Sequence, residues 1–161
     1  MVEVLIGVGL VVALFVGFNI GGSTTGPAFG PAVGAGAISK FLAGLLMAIF
    51  FAIGAWTIGR RVVNTLGRDL VYDPGVFTIE TSIVVLFFIG GALFVGNYVG
   101  VPASTSMTAV GAIAGLGVAS GTINWEVMGR IISWWLVAPI VAFWLSAVVG
   151  RYLYPHLAAR I

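Results

Sequence analysis

The sequence predicts an all-α integral membrane protein of about five transmembrane helices, with one or two re-entrant or broken helical hairpins among them. Three observations predict it. Of 161 residues, 60% are hydrophobic and 7% are charged, whereas about a quarter of an average soluble domain is charged. The mean hydropathy is +1.17. The seven basic and five acidic side chains fall between long apolar runs rather than within them. At about 20 residues per crossing, this length admits five or six spans with short loops. The same figures exclude a soluble enzyme and a disordered chain. The absence of cysteine excludes a disulfide scaffold and a cysteine-based metal or redox site. A surplus of two positive charges is too small for a nucleic-acid surface, so no nucleic-acid partner is expected.

The charges punctuate one membrane domain, 1–161. The first run, Val4–Ile20, follows only Glu3 and lacks the basic start of a signal peptide, so it reads as a retained helix. The second, Phe41–Ile58, is bracketed by Lys40 and by Arg60–Arg61. A polar loop over 60–80 follows, holding Arg68, Asp69, Pro74 and Gly75. The third run, Ile83–Val99, begins just after Glu80, and the fourth, Val101–Ala119, is rich in small residues. The last, Ile131–Val149, lies between Arg130 and Arg151 and holds Pro139, which is expected to kink it. Trp125, Tyr152 and Tyr154 sit where an interfacial aromatic belt is expected, with Trp134 and Trp135 deeper.

Two segments depart from the plain spanning pattern. The first, 21–39, reads GGSTTGPAFGPAVGAGAIS. Pro27 and Pro31 each remove a helical hydrogen bond, which predicts a re-entrant or broken element folded into the protein interior. The plainer reading is a Gly-xxx-Gly face for close helix packing; the Ser23-Thr24-Thr25 cluster favours the functional one. The second, 101–121, reads VPASTSMTAVGAIAGLGVASG. Pro102 followed by Ser104, Thr105, Ser106 and Thr108 is a proline at a helix start with hydroxyls in the first turns. Isolated hydroxyls in membrane helices usually back-bond to their own carbonyls, but four within five positions are harder to dismiss.

Each cluster joins hydroxyl donors, small residues and an expected helix N-terminus. Unpaired N–H groups and the positive end of the helix dipole favour an anion there. Such neutral donors hold an oxyanion weakly enough to release it, as transport requires, and discontinuous helices near the midplane are where secondary transporters place substrate. Enzymatic readings fare worse. The single histidine, His156, lies in the C-terminal tail, no metal-ligand cluster occurs, and no carboxylate pair is spaced for acid–base work. Glu80 and Glu126 sit at the ends of apolar runs, where solvation is the plain expectation. The chain is therefore expected not to be an enzyme and to need no cofactor or metal.

These residues resemble those of the inorganic phosphate transporter (PiT) family of secondary transporters. The family's glycine-rich segment with its Asn-Asp pair lies over Gly21–Ser39, where Gly21, Phe29, Gly30, Val33, Gly34, Gly36 and Ala37 agree and Ile38 and Ser39 are close substitutes. Its Pro-Val-Ser-Thr-Thr-His landmark and glycine tail lie over Pro102–Gly117, agreeing at Pro102, Ser104, Thr105, Val110, Gly111, Ala112, Gly115 and Gly117. A Ser-Trp…Pro pattern of the last helix matches Ser133, Trp134 and, one position on, Pro139. The Asn-Asp pair falls on Ser23 and Thr24, the second Asn on Pro27 and the histidine on Met107, so the carboxylate that would favour sodium coupling is missing. A shifted register puts Gly-x-Asn on Gly17–Asn19, with Ile20 in place of the acid.

The resemblance implies a permease moving inorganic phosphate or a similar oxyanion across the cell membrane, where the chain would be multi-pass, by alternating access. Substrate would meet Ser23, Thr24, Thr25, Gly26, Ser104, Thr105 and Ser106. A coupling ion, Na+ or H+, would meet Asn19, Thr24 and Thr108. The family is built of two inverted halves, and this chain resembles one such inverted-repeat unit. Arg60, Arg61, Arg68 and Arg130 on one side face Lys40, Arg151 and Arg160 on the other, a nearly balanced count. That balance suggests an antiparallel homodimer, or else a separate second half-transporter chain as partner. An uncoupled anion channel and a non-transporting membrane subunit are the other classes compatible with the sequence.

Overall fold

A computed structural model describes residues 2–101 and 103–155. Pro102, His156 and Arg160, singled out above, lie outside the described residues. The chain divides into two compact units, Met1–Asn124 and Trp125–Ile161.

The first unit holds five helices: α1 (Val2–Gly34), α2 (Lys40–Thr57), α3 (Gly59–Asn64), α4 (Ile79–Val99) and α5 (Thr105–Ala119). The second is α6 (Trp125–Val148), which runs on through Pro139 and ends in a π turn over Val149–Leu153. Four helical stretches are long and apolar enough to cross a membrane, and α5 is a shorter apolar helix. This is an all-helical, multi-pass membrane protein. In the second unit, Arg130 pairs with Glu126 one turn away at 3.1 Å, both largely exposed, a geometry that contributes little to stability.

The segment 21–39, expected to break, differs from that expectation. Helix α1 continues through Pro27 and Pro31 to Gly34, 33 residues in all, or about 50 Å against a hydrocarbon core of about 30 Å. Two prolines one turn apart remove only two donors from the ladder, and hydroxyls and local adjustment in membrane helices offset such losses. The chain turns only after Gly34, where Gly36 takes φ 73° and Ala37 N–H bonds back to Ala32 O at 3.0 Å. Ser39 then caps α2, its hydroxyl accepting from Leu42 N–H at 3.1 Å.

Helix α4 lies parallel to α1. Contacts advance together along both helices: a Cβ at Gly9 would lie 3.5 Å from Ile83, one at Gly90 would meet Phe15 and Val16, and one at Gly22 would lie 3.2 Å from Asn97. The Phe15 and Phe94 rings sit 6.0 Å apart. Lipid gives helices no hydrophobic reason to associate, so close packing at small residues must do so. Gly90 is the tightest point, where a Cβ would fall 2.7 Å from the Phe15 ring.

Helix α5 begins four residues later than its apolar run, at Thr105, and its 15 residues span about 22 Å. Both its ends are fixed by backbone. At the start, Gly100 turns the chain with φ 76°, Val101 N–H bonds to Gly96 O at 2.9 Å, and Ala103 packs on Gly96. At the finish, the loop expected to be polar supplies two fully buried residues, Leu70 and Val71. Val71 forms an antiparallel bridge with Ile123, with Tyr72 N–H on Thr122 O at 2.7 Å and Asn124 N–H on Leu70 O at 2.9 Å. Gly117 leaves room for this clasp, since a Cβ there would lie 3.1 Å from Val71 and 3.2 Å from Ile123.

The adjacent glycines of α4 give a paired prediction. Gly90→Ala should lower stability by roughly 1–3 kcal/mol, because the Phe15 ring must move. Gly91→Ala, with nothing within 4 Å of the new methyl, should stay within about 0.5 kcal/mol. Thermal unfolding of both variants in detergent, followed by tryptophan fluorescence, measures the difference.

Candidate functional site

Among the described residues the buried polar side chains are Asn19 and Ser23, 2% and 5% exposed, in a core otherwise made of apolar residues and glycines. They stand one turn apart on the face of α1 that meets α4. Asn97, near the end of α4, reaches across: its Nδ2 donates to Asn19 O at 3.0 Å and to Asn19 Oδ1 at 3.2 Å. Asn19 Nδ2 donates to Phe15 O at 2.8 Å, and the Ser23 hydroxyl donates to the carbonyls of Asn19 and Ile20 at 3.1 and 3.2 Å. Every buried side-chain polar atom among the described residues is satisfied, as a low-dielectric setting demands.

Helical periodicity sorts the surroundings of this amide pair into two sides. On α1, taking Asn19 as reference, Ser23 and Thr24 lie about 40° and 140° to one side, and Gly22 and Phe18 about 60° and 100° to the other. On α4, Gly96 and Val85 lie on one side of Asn97, and Phe94 and Tyr98 on the other. Phe18, Gly22, Phe94 and Tyr98 line a single cleft of about 390 Å³ with the two asparagines at its base. Gly96 instead packs on Ala103, and Val85 faces Ala112 and Leu116 of α5 across a groove. Helix α5 therefore lies on the side opposite the cleft, the side of Ser23 and Thr24. Ser23 and Thr24 of the first cluster and the start of α5, about 80 positions apart in sequence, share one flank of the α1–α4 pair.

The hydroxyls on that flank differ in what they can do. Ser104 is the N-cap of α5, accepting from Met107 N–H at 3.4 Å, which leaves its own O–H to donate. Among the described residues, Thr24, Thr105 and Ser106 have no hydrogen-bond partner for their hydroxyls; Thr24 and Thr105 are half-buried and Ser106 is exposed. Thr25 is different, since its hydroxyl donates to Gly21 O at 2.7 Å on the cleft side of the helix. Gly26 is exposed, with nothing within 4 Å of where a Cβ would stand. No hydrogen bond joins residues 23–26 to residues 104–106.

The expected cation ligands are not brought together. Asn19 and Thr24 point about 140° apart around α1, and Thr108 donates to Ser104 O at 2.8 Å. Asn19 Oδ1 is already an acceptor for Asn97. Among the described residues no group of three His, Cys, Asp or Glu could hold a metal ion. Glu80 and Glu126 are exposed, in keeping with solvated positions.

Asn97 is the partner of the buried Asn19 that sequence reasoning missed. One signal could have found it. The tetrapeptide Leu-Phe-Val-Gly occurs twice, at 14–17 and 93–96, and an asparagine follows each copy within two positions. The duplicated phenylalanines touch and the asparagines bond, so the two copies pair side by side in the fold.

Removing either amide should cost stability and reveal their coupling. Asn97→Ala and Asn19→Ala should each destabilise by about 0.6 kcal/mol, at most about 1.7, the range found for hydrogen bonds inside membranes. The double variant should cost less than the sum. A double-mutant cycle on thermal unfolding checks this; strict additivity would mean that the pair does not interact.

A profile described as the phosphate transporter family matches residues 20–158. A protein of Pyrococcus abyssi named putative phosphate permease is 32% identical over 108 residues, covering 64% of this chain and 25% of its own length. One of the same name from Mycobacterium bovis is 29% identical over 92 residues, covering 56% of this chain and 16% of its own length. The sulfate permease CysP of Bacillus subtilis is 36% identical over 89 residues, covering 53% of this chain and 24% of its own length. The chain thus spans less than a third of the length of these curated relatives. No solved structure matches significantly.

Proposed function

The chain belongs to the phosphate transporter family, and from that membership we propose that it is one repeat of a permease moving inorganic phosphate or a similar oxyanion, sulfate included, by alternating access. The observation that carries the reading is the shared flank, where Ser23 and Thr24 of α1 stand on the same side as the hydroxyl-rich start of α5. Membership of a transporter family also argues against an enzyme.

The chemistry suits an oxyanion. Hydroxyls of Thr24, Ser104, Thr105 and Ser106 are free to donate, and the first-turn N–H groups of α5 add the positive end of the helix dipole. These donors carry no net charge, so the anion is neutralised by a co-bound cation, Na+ or H+, rather than by a fixed arginine or lysine. Neutral donors also avoid the trap of an anion bound too tightly to leave.

One repeat presents its site on a flank, so a second repeat of opposite orientation would supply the facing wall. A second copy of this chain, as an antiparallel homodimer, or another polypeptide would carry it. Alternating access would then be the rocking of one repeat against the other around the hydroxyl site, as in other inverted-repeat transporters. The nearly balanced arginine and lysine count expected from the sequence supports dual insertion.

The double substitution Ser104→Ala with Thr105→Ala should abolish uptake of labelled phosphate and sulfate into proteoliposomes. The variant should still insert in the membrane, because α5 keeps its apolar sequence and loses one cap worth about 1 kcal/mol. Uptake unchanged from the unsubstituted chain would reject these hydroxyls as the site.

A further inference from the structure

We infer that the arginine-bearing end of the second span binds the headgroup of an anionic phospholipid. Arg60 and Asn64 hold its phosphodiester, and a wall of Ala55, Gly59 and Val63 receives its glycerol and upper acyl chain. This site is separate from the hydroxyl flank and does not depend on the transport reading. Its depth along the span, its unpaired cations and the shape of the surface beside them carry the inference.

Helices α2 and α3 and the π turn after them form one helical stretch, Lys40–Asp69, long and apolar enough to cross a membrane. Ile58, between α2 and α3, keeps helical backbone at φ −94° and ψ −28°, so the path carries on. Lys40 and Arg60 stand about 20 residues apart along it, or about 30 Å, which is one hydrocarbon thickness. With Lys40 at one interface, Arg60 reaches the other. Trp56, one turn before Arg60, then lies at the level where aromatic side chains gather. Residues 60–69 follow in the headgroup layer. There Arg60, Arg61, Asn64 and Arg68 fall within an arc of about 100°, and Val62, Val63 and Leu66 lie outside it.

No acid among the described residues neutralises this arc. Arg60, Arg61 and Arg68 are exposed and form no ion pair, with Asp69 or any other carboxylate, and the Asn64 amide has no hydrogen-bond partner. Arg60 is nevertheless held in place, its guanidinium carbon 5.8 Å from the centre of the Trp56 ring. Stacking over an aromatic face occupies no N–H, so the planar fork keeps its donors, and that fork matches two phosphate oxygens. Beside it lies a cleft of about 380 Å³ lined by Ala55, Gly59, Arg60, Val63 and Asn64. Ala55, Gly59 and Val63 recur every four residues, so they form a small apolar floor, and Arg60 with Asn64 forms a polar rim. A phospholipid matches both parts, with hydrocarbon for the floor and a phosphodiester for the rim. A free inorganic anion would fill only the rim.

The experiment is native mass spectrometry of the full chain in detergent, titrated with phosphatidylglycerol or with phosphatidylcholine of the same acyl chains. Phosphatidylglycerol should bind at least about tenfold more tightly, since each arginine near an anionic headgroup contributes about fivefold. Arg60→Gln and Arg61→Gln should each weaken phosphatidylglycerol by about fivefold and leave phosphatidylcholine unchanged. Lys40→Gln, at the other interface, should change neither by more than about twofold. Glycerol phosphate, a headgroup without acyl chains, should bind at least about tenfold more weakly than the lipid, because it leaves the apolar floor unfilled. Equal binding of the two lipids would overturn the inference. So would a loss in Lys40→Gln as large as that in Arg60→Gln, or glycerol phosphate binding as tightly as the lipid. The comparisons of ligands use the unsubstituted chain, so they do not depend on any variant folding.

Discussion

The hydrogen bond between Asn97 and Asn19 sets the arrangement on which the rest of this structure depends. Lipid supplies no hydrophobic drive for helices to associate, so parallel packing of α1 on α4 needs specific contacts. Gly90 lets the Phe15 ring and Val16 approach closely, and the amide pair fixes the register further along both helices. A polar contact of this kind is worth little in energy but much in specificity, because a slip by one residue would strand an amide in an apolar interface. With the register set, the faces of both helices are set too. Ser23 and Thr24 then point to the flank occupied by α5, and the aromatic cleft at Phe18 and Tyr98 opens on the other.

Placing α5 is the second constraint. At about 22 Å it is shorter than the hydrocarbon core, so irregular backbone must lie at membrane depth or at its edge, where it survives only if paired or buried in protein. Both ends meet that condition. The turn after α4 returns its N–H groups to Gly96 and Asn97 carbonyls, and the clasp of Val71 with Ile123 buries the other end over Gly117. The start of α5 is thereby fixed beside α4, with Ser104 as its cap and the neighbouring hydroxyls unspent. The proposed anion site would draw on these hydroxyls.

Much of this was legible in the sequence, for reasons that differ from residue to residue. The spans follow from hydropathy because the bilayer imposes one length on every crossing, and Lys40, Glu80 and Arg130 mark where they stop or start. A helix start near Pro102 was visible because proline followed by hydroxyls is a local signal, although α5 begins at Thr105 with Ser104 as its cap. The continuity of α1 through Pro27 and Pro31 was not, since local propensity predicts a break and only the cost of unpaired backbone in lipid opposes it. Leu70 and Val71 read as part of a polar loop because their burial depends on Ile123, about 50 positions away. Asn97 was hidden for the same reason, its partner being 78 residues distant. Family resemblance pointed to segments 21–39 and 101–121, but the pairing of α1 with α4 through Asn19 and Asn97 is a property of the fold.

The natural chain contains no cysteine, which allows the central claim to be tested directly. The claim is that α1 and α5 present their hydroxyls to one oxyanion site. Single cysteines placed by Thr24→Cys and Ser106→Cys should both react with a small thiol reagent in membranes, and sulfate or phosphate should slow both reactions together. A cysteine introduced by Phe18→Cys, on the opposite flank, should react at a rate the anions do not change. Protection at Phe18→Cys with none at the other two, or no protection anywhere, would contradict the account.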